Sequence, residues 1–360
     1  LPAVAGTFGV RGGGYTMSNS GAWPRRAAEA MRVSARNVRT INMNQVGRAL
    51  TGELTQDPPV QSVFVYNCNP VATLPHQEAV RRGFLRDDLF TVVFDHFNTD
   101  TALYADVVLP AATFLERRET RRTYGAFALQ DAGAVIPVIG ESRTNHAVFQ
   151  DLVRRLGLEE PGDPETENDV LRALLATHPE GERVGRDLAE TGISYPTYGD
   201  RPGQCGDIFP RTPDRKVHLG PEAREREARE GVYAFRKDPE SREYPLALIS
   251  PATSKTVSSM LGQLWEETVP VEMHPLDATP RGIETGAVVR VTSAYGGFTA
   301  PVRVNPRVRR GVVSYPKGLW ARHSLDGNTS NAVSPDTLTD LAGGACFNDA
   351  RVQVALALAE

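Results

Sequence analysis

Leu89-Phe90-Thr91-Val92-Val93-Phe94 is a run of β-branched and aromatic side chains that stops at the polar Asp95-His96-Phe97-Asn98. A short continuous apolar run closed by polar residues reads as a strand buried on both faces. Upstream, Val60-Gln61-Ser62-Val63-Phe64-Val65-Tyr66 is a second such run. It ends in the turn Asn67-Cys68-Asn69-Pro70. Residues 76–84 between them have helical spacing. Downstream, 99–104 predicts a short helix with Thr99 or Asp100 as its N-cap. Asp106-Val107-Val108-Leu109-Pro110 predicts a third strand. Residues 145–156 predict a helix with Val148, Phe149, Leu152, Val153 and Leu156 on one stripe. Alternating strands and helices of this kind predict an α/β fold with a parallel sheet. In open sheets of that class, ligands bind beyond the carboxyl ends of the strands. The rule points at 67–70 and 95–100.

Further out the character changes twice. Residues 157–243 are rich in Pro, Gly and charge and read as an insertion and linker carrying one or two helices, such as 168–177. The run Glu222-Ala223-Arg224-Glu225-Arg226-Glu227 reads as a solvated helix face. From 244 onward short strands follow at close spacing: 245–250, 287–292, 302–304, 311–314 and 352–354, punctuated by Tyr295-Gly296-Gly297 and Asn305-Pro306. They predict a compact β-barrel that joins its termini in one sheet. The expected organisation is therefore an incomplete parallel-sheet nucleotide-binding domain over 1–156, an insertion over 157–243, and a barrel over 244–360. The Gly12-Gly13-Gly14 run near the start marks either a phosphate approach or a flexible turn.

Composition narrows the function classes. The 40 Lys and Arg nearly balance 44 Asp and Glu, so no polyanionic partner is indicated and nucleic acid is not recommended. No stretch approaches the roughly 18 apolar residues of a membrane span. Cys68, Cys205 and Cys346 are far apart; this excludes a disulfide scaffold and fits a reducing compartment. Three Cys cannot hold a four-Cys iron–sulfur cluster. Neither GxxxxGK[ST] nor GxSxG occurs, which argues against an unrelated P-loop or nucleophile-elbow enzyme. The opening Leu1-Pro2-Ala3-Val4-Ala5-Gly6 has no initiator Met and no signal-peptide pattern, so the chain reads as cut from something longer.

These segments resemble, in order, the molybdopterin oxidoreductases of the dimethyl sulfoxide reductase superfamily. The similarity rests on Val63 to Pro70, on Phe94-Asp95-His96-Phe97-Asn98-Thr99-Asp100-Thr101-Ala102, on Tyr104 to Ala111 with the following Leu115-Glu116, and on Gly140 to Asn145. The C-terminal part resembles the same family's dinucleotide-binding double-psi β-barrel. There the matching runs are His274-Pro275-Leu276-Asp277-Ala278, Gly286 to Val291, Gly311-Val312-Val313, Asn328-Thr329-Ser330-Asn331 and Phe347-Asn348-Asp349. The resemblance implies an enzyme using molybdenum or tungsten bound by two pterin guanine dinucleotides, for two-electron chemistry on a small-molecule substrate. It implies electron transfer to an iron–sulfur protein partner. It places the metal ligand, and the Cys-rich segment that holds an iron–sulfur cluster, upstream of residue 1. No metal ligand or catalytic residue is then assigned in this chain, which is expected to be a C-terminal half whose other half or companion chain completes the site. The overall feel is of the formate-dehydrogenase-like and nitrate-reductase-like branches, with reductase and dehydrogenase both open. A cytoplasmic location is expected, with a periplasmic one open. A different class also stays open: a cofactor-free structural subunit of an electron-transfer complex that keeps the fold.

A guanine dinucleotide needs an acceptor for the guanine N1–H and N2–H2 edge, donors for its pyrophosphate and polar partners for its pterin. A carboxylate at a strand end suits the guanine edge through charge-assisted bonds, which makes Asp95 the candidate; a turn or cap is the alternative. Asn69 is placed at the same nucleotide, with an αL turn residue as its alternative. Thr99 and Thr101 read as caps. Asn145 opens a helix, so capping competes with a guanine or ribose contact. The resemblance aligns Ser250, Thr253, Ser254 and Lys255 with the loop that gives amides, hydroxyls and a basic side chain to pyrophosphate and pterin. Lys255 stands where some subfamilies have His. Asn331 and Asn348 match late pterin-contacting positions, with loop structure as the alternative. Asp106, His274 and Asp277 read as structural. Arg117, beside Arg118, Arg121 and Arg122, reads as a surface patch. His96 and His323 carry no assignment, and Trp23, Trp265 and Trp320 read as core or pocket walls.

Overall fold

The computed structural model describes residues 1–14, 23, 38–123, 126–198, 212–214, 216–228, 231–235, 237 and 241–357. Two compact units divide the chain. One comprises Leu1–Val38 and Pro110–Pro221, the other Arg39–Leu109 and Glu222–Glu360.

The larger unit begins with helix α1 (Val46–Thr51), which stops where Gly52 turns left-handed at φ 81°. Strand β1 (Ser62–Tyr66) follows. A one-turn helix α2 (Pro70–Thr73) starts with proline in its first turn, where a missing N–H costs nothing. Helix α3 (Gln77–Phe84) buries Ala79, Val80, Gly83 and Phe84 on one side and carries Arg81 and Arg82 in its last turn. Strand β2 (Phe90–Asp95) pairs in parallel with β1, Tyr66 opposite Phe94. Strand β3 (Val107–Pro110) completes the order β1-β2-β3. Strand β1 starts later than the sequence predicts because the Val60 carbonyl is taken by the Arg86 guanidinium at 3.2 Å instead of a ladder partner. Leu50, Val65, Val71, Leu74, Val80, Phe84, Leu89, Val93 and Ala102 form one core. The approach of α1 to α3 leaves no room for side chains at the contact. A Cβ on Gly47 would lie 2.9 Å from the Val80 nitrogen, and one on Gly83 2.5 Å from the Leu50 Cβ.

The smaller unit is a three-stranded antiparallel sheet with helices. Strands β4 (Glu119–Arg122) and β5 (Leu129–Ala132) pair in register, and the Arg118 guanidinium grips Asp131. Helix α4 (Asn145–Arg155) follows. The expected stripe on α4 is only partly covered: Val148 is buried, whereas Phe149 is exposed. Helix α5 (Glu167–Ala176) opens with a reciprocal cap in which Thr166 and Asp169 each satisfy the other's backbone N–H. After α6 (Gly181–Thr191), strand β6 (Ile193–Ser194) joins β5. The stretch read as insertion and linker thus contributes two helices and a strand here. Trp23, Leu129, Val184 and Leu188 are the buried apolar centre of this unit. Cys205 lies outside the described residues.

Helix α7 (Glu222–Glu227) buries nothing, as its charge pattern predicts. Strand β7 (Leu246–Ile249), β8 (Val271–Met273), helix α8 (Pro275–Ala278), β9 (Val288–Ser293), β10 (Gly296–Val304), β11 (Val312–Ser314) and β12 (Arg351–Leu356) complete the larger unit. The strands close into a barrel in the order β10-β8-β11-β7-β12-β9. The first and last barrel strands are neighbours, Leu246 opposite Val352, so the termini do join in one sheet. Alternating residues point inward: Leu246, Leu248, Val271, Met273, Val289, Val291, Phe298, Val313, Val352 and Val354 are all buried in one cluster. Phe298 and Tyr315 stack inside it, ring centroids 4.5 Å apart. Strand β10 is longer than predicted because it begins at Gly296, directly after a tight turn. Strand β8 is not apparent in the sequence. Asp277 and His274 build the structure, as read: Asp277 accepts from the Gly311 N–H at 2.6 Å, and His274 Nδ1 from the Leu276 N–H at 3.1 Å.

Candidate functional site

Because β1 and β2 run parallel and in register, their carboxyl ends deliver 67–70 and 95–100 side by side. Asn67 takes the left-handed backbone, φ 54°, and so makes the turn; Asn69 does not, at φ −126°. Asn69 instead sits 3% exposed at the head of α2. Its Oδ1 accepts from the Thr101 hydroxyl at 2.7 Å and the Thr101 N–H at 3.2 Å, tying the two loops together. Its buried Nδ2 has no partner among the described residues. Thr101 is therefore a bridge between loops and not a cap. Thr99 is the cap, accepting from the Ala102 N–H at 3.3 Å. Asp95 is half-buried at the end of β2, where Oδ1 accepts from the Phe97 N–H at 3.2 Å. The turn role is real and, among the described residues, engages one oxygen. Burial pushes the neighbouring Cys68 thiol up, with the Asp95 charge adding to it.

The barrel brings a second set together. Ser250 follows β7, and its N–H donates to Asn348 Oδ1 at 3.3 Å. The Ser250 hydroxyl is buried without a partner among the described residues. Thr253 and Thr256 bond through their hydroxyls at 2.8 Å, and the Lys255 N–H donates to the Thr253 hydroxyl at 3.2 Å, so the loop is a knot of hydroxyls and amides. Ser254 is exposed on it. The Lys255 ammonium sits 2.8 Å from Glu267 and 5.7 Å from the Trp265 ring centroid. Asn331 is placed elsewhere: it is buried, and Nδ2 donates to the Ala72 carbonyl at 2.6 Å, at the far end of the one-turn helix that Asn69 begins. Asn145 belongs to the smaller unit. It is the first residue of α4, and Thr144 does the capping by accepting from the Ala147 N–H at 3.3 Å.

Four residues that the sequence does not assign to the site hold this region. Gln77, 1% exposed, donates to the Val71 carbonyl at 2.8 Å and accepts from the Thr329 N–H at 3.1 Å. Arg81 reaches the Gly327 carbonyl and the Asn328 side chain. Asp100 is 8% exposed and accepts from the Ala321 N–H at 2.9 Å. Burial raises its carboxyl above the ordinary range, against the pull of Arg81, His323 and Arg322. His323 is fully buried and stacked flat on Trp265, centroids 3.7 Å apart. Helical spacing at Gln77 and the acidic residue inside the 95–100 loop were the available signals for two of them. Nothing local marks the others. Buried Glu116 is also structural, its two oxygens accepting from the Thr113 and Ile139 N–H groups at 2.7 Å each.

Comparison with known proteins places this geometry. A family model described as molybdopterin oxidoreductase matches residues 6–155, and one described as the molydopterin dinucleotide binding domain matches 246–351. Two stretches that together make up most of the chain thus match models of molybdopterin oxidoreductases and their dinucleotide-binding domain. It is 31% identical to the Bacillus subtilis protein named "Probable oxidoreductase YoaE" over 98% of this chain and 53% of that one. It is 26% identical to dimethyl sulfoxide reductase DmsA of Escherichia coli over 87% of this chain and 44% of that one. In fold it is similar to acetylene hydratase from Pelobacter acetylenicus, with TM-score 0.70 and 18% identity over 95% of this chain and 50% of that one. The chain spans about half the length of the relatives it matches. These matches are with molybdopterin oxidoreductases and their dinucleotide-binding domain. They do not say which half of a longer subunit the chain is, since the oxidoreductase model matches at its N-terminal end. Among the described residues no helix is long and apolar enough to cross a membrane.

Proposed function

We propose that this chain seats the guanine, pyrophosphate and pterin parts of a molybdenum or tungsten bis-molybdopterin guanine dinucleotide, in an enzyme that performs two-electron redox chemistry on a small molecule. The observation that carries the reading is that two of the buried polar atoms left without a partner among the described residues fall on the two candidate loops: Asn69 Nδ2 at the end of the parallel sheet and Ser250 Oγ at the end of β7. A buried polar group without a partner costs on the order of 1–3 kcal/mol, so a ligand that supplies acceptors there is strongly favoured. The residues also fit the group chemically. Asp95 has an oxygen beyond its turn bond to accept from a guanine edge. The 250–256 loop offers hydroxyls, amides and one cation to a pyrophosphate. With Oδ1 engaged by Ser250, the Asn348 amide N–H groups remain for a pterin carbonyl. The barrel that carries them, with β10 parallel to β8 and β11 parallel to β7, is assigned to the double-psi type.

The bound metal supplies the two-electron step. This chain's residues bind, orient and dehydrate the dinucleotide around it. The metal ligand and the iron–sulfur cluster belong to polypeptide beyond this sequence or to a companion chain, and electrons pass on to an iron–sulfur partner. Substrate and direction follow from that other part. Three scattered thiols fit a cytoplasmic setting.

The test is nucleotide selectivity. Guanosine diphosphate should bind and adenosine diphosphate should not, because adenine presents no N1–H to a carboxylate. Asp95→Ala should weaken guanosine diphosphate about 10- to 100-fold, the value of a charge-assisted bond. Molybdenum or tungsten should co-purify with the assembled enzyme. Binding unchanged in Asp95→Ala, with no metal in well-folded material, would favour the cofactor-free structural subunit.

A further inference from the structure

The pyrophosphate loop does not hold itself in place. Its continuation, residues 258–265, lies against 318–323. A Cβ on Gly262 would meet the Trp320 indole at 2.5 Å, and the Trp320 Nε1–H donates to the Ser259 carbonyl at 2.8 Å. His323 is the pin of this contact. Its Nδ1 accepts from the Trp320 N–H at 2.9 Å, while Nε2 lies 3.0 Å from the carbonyl oxygens of both Gly262 and Trp265. A donor N–H at one nitrogen and two carbonyls at the other fix the neutral ring with its proton on Nε2. The flat stack on Trp265 then sets the indole plane, and Lys255 lies over that indole. The turn Ala321–His323 is itself anchored from the α/β side, because Asp100 closes its first N–H at 2.9 Å. Asp100 stands in the same strand-end loop as Asp95.

We infer that Asp100 and His323 are positioning residues for the dinucleotide site, a relay Asp100–Ala321–His323–Trp265–Lys255 that presets the pyrophosphate loop and ties it to the guanine loop. The inference rests on the function proposed above. Neither residue touches the ligand. Asp100 supplies an acceptor to a buried turn, His323 turns that anchorage into the plane of one indole, and the indole face with Glu267 fixes where the Lys255 cation stands. The links are a hydrogen bond, a shared turn, a ring stack and a cation over a ring, so loosening the first link displaces the last.

The experiment uses the whole chain labelled with 5-fluorotryptophan, which gives three resonances for its three Trp residues, that of Trp265 assigned with Trp265→Phe. Asp100→Ala should move the Trp265 resonance and weaken guanosine diphosphate about tenfold, within the range of coupling seen between interacting sites. Asp100→Asn keeps an acceptor of the same shape and should restore both. Lys255→Met should weaken binding to a similar degree, and the double variant Asp100→Ala, Lys255→Met should be no weaker than the single ones. An unmoved Trp265 resonance in Asp100→Ala overturns the inference, and so do losses that multiply in the double variant. If the wild-type chain binds no guanosine diphosphate, the proposed function fails. The fluorine spectra of the Asp100 variants then still decide the relay.

Discussion

His323 shows how one buried side chain carries a pH dependence. Burial holds its imidazole below the ordinary histidine range, although the Trp265 and Gly262 carbonyls pull the other way. A protonated ring would turn its Nδ1 from acceptor to donor, facing the Trp320 N–H. The unfolded chain therefore binds the proton more readily than the folded one, and stability rises with pH in that window. The contribution is complete above the ordinary histidine pKa of about 6.5 and is lost as pH falls below it. Urea unfolding between pH 7.5 and 5.5 should show a decline that is shallower in His323→Gln, once that variant's own constant loss is subtracted. Equal slopes in the two proteins would show that His323 does not titrate in this way. His178 in the smaller unit is also held low by burial, so the wild-type slope alone is not diagnostic. At this same scale the sequence was half legible. The positions of Asp95 and Asn69 at strand ends could be read because they follow from local apolar runs and turn residues. Asp100 was visible only as a possible cap, since the amide it serves is 221 residues away. His323 had no local signal, because its carbonyl partners lie 58 and 61 residues before it.

Among the elements, helices α1 and α3 pack closely against each other. Gly47 and Gly83 let the two helices touch through backbone and Cβ atoms alone. Gly83→Ala keeps a helix former in place yet inserts a methyl at 2.5 Å from Leu50, so overpacking dominates. It should cost about 1–3 kcal/mol in chemical denaturation. The same change at exposed Gly133, with nothing within 4 Å, should stay within about 0.5 kcal/mol. The reciprocal cap of α5 offers an independent check: Thr166→Ala removes one side of it and should cost about 1 kcal/mol of the smaller unit's stability. Elements with strong apolar runs, such as β1, β2 and α3, were readable to within two residues. Strand β8 was not. Val271-Glu272-Met273 is too short for any period to register, and it becomes a strand only because β10 and β11 flank it. The stripe on α4 misled in the opposite sense, as periodicity reports which side chains share a face and not what lies against it.

For the molecule as a whole, the barrel and the parallel sheet share one compact unit although more than a hundred residues of chain separate them. Gln77, Arg81, Asn331 and Asp100 all bond across that junction. Leu248→Ala, at the fully buried centre of the barrel, should cost about 2–5 kcal/mol. Hydrogen exchange should then speed up in β1 and β2 as well as in the barrel strands, if the unit opens as one. Acceleration confined to the barrel would show that the sheet stands alone. The overall plan was legible at this scale because a run of parallel strands and a run of close-spaced short strands have different textures. The joining of the two was not, since it rests on single hydrogen bonds between residues about 250 apart.

The pairing of β7 with β12 carries a consequence for biosynthesis. A chain emerging from the ribosome exposes β7 about a hundred residues before its neighbour β12 exists. Until residues 351–356 arrive, one edge of β7 and one edge of β9 lie open, and open strand edges invite pairing with other chains. Synthesis of residues 351–356 is therefore the step that seals the barrel. A truncation just before Arg351 should produce aggregates rather than a slightly weakened protein, and the loop that carries Asn348 would have no wall to stand on. Arrival of β12 thus acts as a licence for closure: a nascent chain cannot shut the barrel early, and one terminated before Arg351 cannot shut it at all.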